Sequence, residues 1–309
     1  MTENGGGDLS AHTLAGFRLR RALSVTGCHA VYQAEDDAGR PVAIRSVCLD
    51  AEASIHRRLD NELACLNHLA GVGVAPAVLA TGTTETLRFV AGEWLPGMPW
   101  RSRVHRARSL ADAGRLVPAA AGALSALHGA GVVHGDLHAY NIVVSGDDVV
   151  RFIDFESSVI PEKPEASRGV NPKIAWRLAA PELFAFTPGG HRPRPTPASD
   201  QYSLAALFYR WLVGRHLRPP QENPDDPSPA TDPAPLTGAT ADRWPTLPQT
   251  LATALADDPA DRYPTTADFA DAFRRAMTPA NGRPRQRDSE HLPTLGKSSS
   301  GVTGGRARG

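Results

Sequence analysis

Alternation of apolar and polar positions dominates the first hundred residues. FRLRRAL from Phe17 alternates, SVTGCH reads as a turn, AVYQAEDD from Ala30 alternates again, AGR turns, and PVAIRSVCL from Pro41 makes a third run. Period-two patterns bounded by turn residues predict strands, here three sequential antiparallel ones. The period then changes. From Ala53 to Leu69 the apolar positions Leu59, Leu63, Leu66 and Leu69 recur at helical spacing, which predicts an amphipathic helix. VAPAVLATG and LRFVAGEWLPG predict two further strands ending in a Gly/Pro-containing hinge. SLADAGRLVPAAAGALSALHGAG, rich in Ala and Leu and closed by Gly129 and Gly131, predicts a buried helix stopped by glycine.

Next comes VVHGDLHAYNIVV, Val132 to Val144, where two short apolar runs flank His134, Asp136, His138 and Asn141. Ten residues on, VVRFIDFESS puts Asp154 at the end of another apolar run. An Asp in such a loop is commonly a turn or cap residue. Asp136 and Asn141, however, stand in the D-x-x-x-x-N spacing of a phosphoryl-transfer loop. There the carboxylate takes the proton of the attacking hydroxyl and the amide helps hold a metal. A second carboxylate, Asp154, completes the minimum for Mg²⁺, which takes one or two carboxylates plus phosphate oxygens.

HGDLHAYN and DFE together resemble the protein-kinase superfamily, over about residues 17 to 276 and most strongly over 132 to 156. The resemblance implies an α+β, bilobal protein-kinase-like fold, a small antiparallel β lobe (about 14–95) plus a larger mainly helical lobe (about 96–278). It implies Asp136 as catalytic base, Asn141 and Asp154 as metal ligands, and ATP with Mg²⁺ as cofactors. In the family's V-A-I-K a Lys grips the α and β phosphates. Here the motif is VAIR, with Arg45 in that place and no Lys before residue 163. Arg keeps the charge but is planar and forked. Glu62 stands where the family's helix C partner belongs, and the other reading of it is a solvated helix Glu. Gly27 is all that remains near the glycine-rich loop, whose aligned positions are Ser24, Thr26 and His29; it is read as a phosphate contact or as an ordinary hairpin turn. Val31, Ala43 and Val143 are counted by the resemblance among the cofactor-binding residues, and Glu93 to Leu95 would present backbone groups to adenine, with Gly92 at the gatekeeper place.

Other departures choose among relatives. Gly135 replaces the Arg of H-R-D, as in small-molecule phosphotransferases and the kinase domains of lanthipeptide synthetases, so no fixed cation awaits a phosphorylated activation loop. His138 takes the place of a Lys that neutralises the transferring phosphate, or is a structural loop His. His134 reads as a packed core histidine, and Phe155 as packing. Glu156 stands where D-F-G has glycine, which restricts flipping of that loop. Ala180, Pro181 and Glu182 match the A-P-E that ends an activation segment, a helix is expected to begin at Asp200, and Arg262 matches the family's partner of that Glu. These favour a polypeptide substrate, although the Gly-Thr that normally precedes A-P-E is replaced near Ile174 and Ala175. The reading is therefore a Ser/Thr kinase of a peptide or protein, with a precursor peptide and a partner lyase as its narrower form. A non-catalytic kinase-like binding module and a small-molecule phosphotransferase are the alternatives.

Composition bounds the rest. Thirty-three basic residues balance thirty-three acidic ones in 309, so no global charge argues for nucleic acid or membrane as partner. Cys28, Cys48 and Cys65 lack C-x-x-C spacing and read as packing residues in a reducing compartment. With no apolar run long enough for a span and no leader pattern, a cytoplasmic protein is expected. Arg in place of Lys, with abundant Ala and Pro, is the bias of a GC-rich bacterial genome. Residues 1–13 and the basic tail 279–309 are expected to be disordered, and 217–248, dense in Pro, Asp and Thr, a mobile surface loop.

Overall fold

A computed structural model describes residues 12–106, 109–170, 173–185, 190, 192–217, 236–278 and 292. Six strands, β1 (Thr13–Leu14), β2 (Phe17–Thr26), β3 (His29–Glu35), β4 (Pro41–Cys48), β5 (Val78–Thr83) and β6 (Leu87–Glu93), form one antiparallel sheet in the order β1-β2-β3-β4-β6-β5. The alternation places Leu19, Ala34, Val42, Ile44, Phe89 and Ala91 in one small core. Opposite it, Val47, Leu59 and Val90 bury the inner face of helix α1 (Ala53–His68). The expected three-strand opening and helix are present, with one difference. SVT extends β2, and Gly27 and Cys28 alone make the turn, because Gly27 adopts φ +55°, a conformation two-residue hairpins require.

Below the sheet lies the helical lobe. β7 (Met98–Pro99) leads into α2 (Trp100–Arg106) and α3 (Leu110–Gly129), and β7, β8 (Ile142–Val144) and β9 (Val150–Phe152) make a small sheet under the cleft. α3 is capped by Ser109 and Asp112, each bonding the other's backbone N–H, so two orphan donors are satisfied at once. Then come α4 (Pro197–Val213), α5 (Ala239–Arg243), α6 (Leu247–Ala254) and α7 (Thr266–Ala276). A single large core joins α3, α4, α6 and α7 through Leu116, Leu124, Phe208, Leu247 and Phe273, all fully buried. The fold is the bilobal α+β arrangement expected. Among the described residues no helix is long and apolar enough to cross a membrane.

Some boundaries move. α4 starts at Pro197, three residues before Asp200, because Thr196 and Ser199 cap it. The loop expected over 217–248 is shorter, since α5 and α6 begin within it and Trp244 and Leu247 are buried; 218–235 lie outside the described residues. Thr13, within the stretch expected to be disordered, pairs with Arg18. Of the tail only Leu292 is described, packed on the large core. Cys65 is fully buried, but Cys28 and Cys48 sit half-exposed with Asp50, their ligand atoms all within 4.8 Å of one another. The lack of C-x-x-C spacing gave no sign of that grouping.

Candidate active site

The loop from His134 to Asn141 is held by backbone geometry more than by charge. Asp200, buried in the first turn of α4, accepts the N–H of His134 at 2.7 Å and of Gly135 at 3.0 Å, and His128 Nε2 lies 3.0 Å away. Gly135 is at φ +79°, and a Cβ there would meet Pro195 Cγ and Ser157 O at 2.7 Å. The position therefore accepts no side chain, which accounts for H-G-D in this chain. His134 is fully buried, its ring 5.0 Å from that of Phe155, with Nε2 3.1 Å from Ile153 O. Burial lowers its pKa, so it packs as a neutral ring.

This scaffold sets the polar groups. Asn141 donates from Nδ2 to Asp136 O at 3.0 Å, while its N–H goes to His138 O at 3.0 Å and its carbonyl accepts from Ile153 N at 2.9 Å. The last bond ties Asn141 to the residue preceding Asp154. Asp136 has its pKa raised to about 7, first by burial and then by the negative charge of Asp154. Asp154 behaves oppositely. Burial opposes its ionisation, but the Arg45 guanidinium beside it, 3.2 Å away, holds its pKa down. The two carboxylates are thus pushed apart, Asp136 toward its protonated form and Asp154 toward its anion. His138 Nε2 lies 3.9 Å from Asp136 Oδ2, and burial lowers the ring's pKa.

Across the cleft, Arg45 Nε meets Glu62 Oε2 at 2.9 Å, and Nη1 bonds both Asp154 and Glu156. One fork thus spans three carboxylates. Burial works against its charge, yet Glu62, Asp154 and Glu156 together raise the Arg45 pKa. Glu62 is pushed up to about 7 because burial outweighs Arg45. Glu156 is a hub: besides Arg45 it has Lys173 Nζ at 2.9 Å, His29 Nε2 at 3.5 Å and Arg58 Nη1 at 4.0 Å.

Val31, Ala43, Arg45, Glu62, Gly92, Glu93, Leu95, Val143 and Asp154 all line one cleft of about 380 Å³ between the lobes. Gly27 is not among its lining residues; it sits at the exposed hairpin tip. Sequence reasoning missed Asn61. Fully buried on α1, its Nδ2 faces the carbonyls of Phe155, Glu156 and Ser158 at 2.9–3.3 Å and fastens the D-F-E loop to the helix. Its only sequence signal was a poor helix former within the helical run. Farther out, Arg262 makes a two-pronged pair with Glu182, 2.8 Å on each prong.

The donor set suits Mg²⁺, which prefers hard oxygen ligands. Asn141 keeps its amide oxygen available while Nδ2 is engaged, and Asp154 lines the cleft. Asp136 and Glu62 are raised to about 7 chiefly by burial, with the negative charges of Asp154 and Glu156 adding to it, and a divalent cation nearby would favour both anions.

These features define a two-lobed α+β protein with a cleft between its lobes and a D-x-x-x-x-N loop in the larger one. Residues 27–261 match the protein kinase domain model, and the chain belongs to that family. Similar proteins include the serine/threonine-protein kinase PknE of Mycobacterium bovis, 26% identical over 86% of this chain and 47% of its own length. PknB of Mycolicibacterium smegmatis is 30% identical over 84% of this chain and 42% of its own. PknA of Mycobacterium tuberculosis is 27% identical over 88% and 66%. The chain thus spans about half the length of PknE.

Proposed function

We propose that this chain transfers the γ-phosphoryl of Mg-ATP to a Ser or Thr hydroxyl of a protein or peptide. The observation that carries the reading is the pair Asp136 and Asp154, whose pKa values are shifted in opposite directions, with the Asp154 charge acting on Asp136. Asp136 would orient the acceptor hydroxyl and take its proton at a carboxylate oxygen. Asn141 and Asp154 would hold the metal, and Arg45, braced by Glu62, would anchor the phosphates. Bound Mg-ATP supplies the electrophilic phosphoryl group. The Glu182–Arg262 pair, which fixes the segment after the cleft, and the relatives named as serine/threonine-protein kinases support a polypeptide acceptor over a small molecule. A precursor peptide processed with a partner lyase is the narrower form, supported by H-G-D-L-H and D-F-E alone. Free thiols at Cys28, Cys48 and Cys65 suit a reducing cytoplasm.

The test is Mg-ATP turnover on generic Ser/Thr peptides by wild type, Asp136→Asn and Asp154→Asn. General base catalysis contributes about 10²–10⁴-fold, so Asp136→Asn is expected to lose turnover on that scale while keeping nucleotide affinity. Asp154→Asn is expected to lose Mg²⁺-dependent nucleotide binding. Wild type that binds partner polypeptides but neither binds nor turns over Mg-ATP establishes the binding-module alternative instead.

A further inference from the structure

On the face of the large lobe beyond the catalytic loop, Arg101 of α2, Arg177 of the segment before A-P-E, Arg210 of α4 and His216 just past α4 crowd together. Burial lowers the pKa of Arg210, and the charges of Arg101 and Arg177 lower it further. His216 is pushed down to about 3, by burial and then by Arg210 and Arg177. No carboxylate enters either balance. Among the described residues, no carboxylate pairs with Arg101, Arg177 or Arg210. Formal charge over the whole chain is zero, so the grouping is local and not a by-product of a basic protein. Half-buried cations without a counter-charge are costly, and a fold that gathers three leaves a place for an anion.

The position says which anion. Arg101 stacks over the Tyr140 ring at 5.4 Å, and its N–H donates to Ala139 O at 3.0 Å, both in the loop between Asp136 and Asn141. Arg177 stacks on Trp176 at 4.9 Å, two residues after Ala175, whose N–H bonds the Asp136 carboxylate. Arg101 and Arg210 line one small cavity with Ala139. The cations therefore begin beside the acceptor-activating carboxylate and run outward along the large lobe, where a polypeptide chain carrying the acceptor would lie. Aromatic stacking pre-orients guanidinium planes, which take carboxylates two-pronged.

We infer that Arg101, Arg177 and Arg210 form a substrate subsite for anionic side chains flanking the acceptor hydroxyl, so that the chain selects acidic polypeptides. The inference rests on the kinase reading and deepens it.

The test uses the full chain with peptides sharing one Ser/Thr acceptor and flanked by Asp/Glu, phosphoserine, Ala or Lys/Arg, read by steady-state kinetics and by anisotropy of labelled peptides without nucleotide. Acidic peptides are expected to show KM at least tenfold below the Ala-flanked ones, rising steeply with salt. Arg177→Gln and Arg210→Gln are expected to erase that gap, and the double charge reversal Arg101→Glu/Arg177→Glu to shift preference to basic peptides. Arg177→Gln guards against misfolding of the more deeply set Arg210 variant. A phosphoserine arm favoured over Asp/Glu identifies the anion as phosphate and also supports the subsite. Turnover without acidic preference overturns the inference while leaving the kinase reading intact. Acidic preference in anisotropy without turnover leaves the subsite standing and overturns the kinase reading.

Discussion

The floor and the roof of the cleft are built on different principles. On the floor, Asp200 fixes His134 and Gly135 through their N–H groups, and Asn141 is held by three backbone bonds. Such contacts have one geometry each. On the roof, Arg45, Lys173, Arg58 and His29 face Glu62, Asp154 and Glu156. Charges at that range trade partners. The difference bears on two of this chain's departures from its family. The two sharp departures on the roof, Arg45 in V-A-I-R and Glu156 in D-F-E, are one feature: an added carboxylate calls for a cation that reaches Glu62 from Nε and Glu156 from Nη1 at once. A guanidinium with five donors does so, and a single ammonium on a flexible stem does not.

The floor breaks most easily at Gly135. Adding a methyl group in Gly135→Ala imposes a left-handed conformation on Ala and drives its Cβ to 2.7 Å from Pro195 and Ser157. Left-handed strain and overpacking each cost about 1–3 kcal/mol. The combined loss of roughly 3 kcal/mol corresponds to about 6–12 °C in a domain of this size. Thermal unfolding measures it, and a melting point within a degree of wild type would show that the floor is not geometrically fixed.

The roof responds in affinity. Removing the Glu156 carboxylate, by Glu156→Gly or the shape-keeping Glu156→Gln, frees Arg45 Nη1 and Lys173 Nζ for phosphate. A hydrogen bond to a charged group is worth about 1.5–3 kcal/mol, so ATP affinity is expected to rise about tenfold, read by nucleotide titration. Arg45→Lys in the Glu156→Gly background should retain that gain, whereas Arg45→Lys alone leaves Glu156 to compete for Lys173 and the new ammonium. Affinity unchanged in both Glu156 variants would show that Arg45 is not held back by this carboxylate.

The same division governs what was legible in the sequence. Strands and α1 came from periodicity, and Asp136, Asn141 and Asp154 from spacing, because those signals are local. Asn61 reaches Phe155 across 94 residues and Arg45 reaches Glu156 across 111, distances at which no period or motif carries information. Glu156 was visible as a substitution, but its four partners come from β3, β4, α1 and the segment at Lys173. Its role is a property of packing. The glycine-loop departure at Gly27 was legible as a mismatch, and its consequence, a bare hairpin tip with His29 turned toward Glu156, was not.

Lys173 is where roof and floor communicate, and it yields the smallest and most specific expectation. Asp136 sits near 7 because burial and the Asp154 charge favour its proton, with Glu156 adding to that and Lys173 opposing it. A base must be deprotonated to act, so kcat/KM should climb as pH rises through about 7 and fall away below it. Lys173→Met removes a positive charge that favours the Asp136 carboxylate, which moves the acidic limb to higher pH. Glu156→Gln removes a negative charge that disfavours it, which moves the limb to lower pH. Opposite displacements from two residues paired at 2.9 Å are hard to produce by general damage to the fold. Limbs that shift together, or not at all, would mean that roof charge stays on the roof.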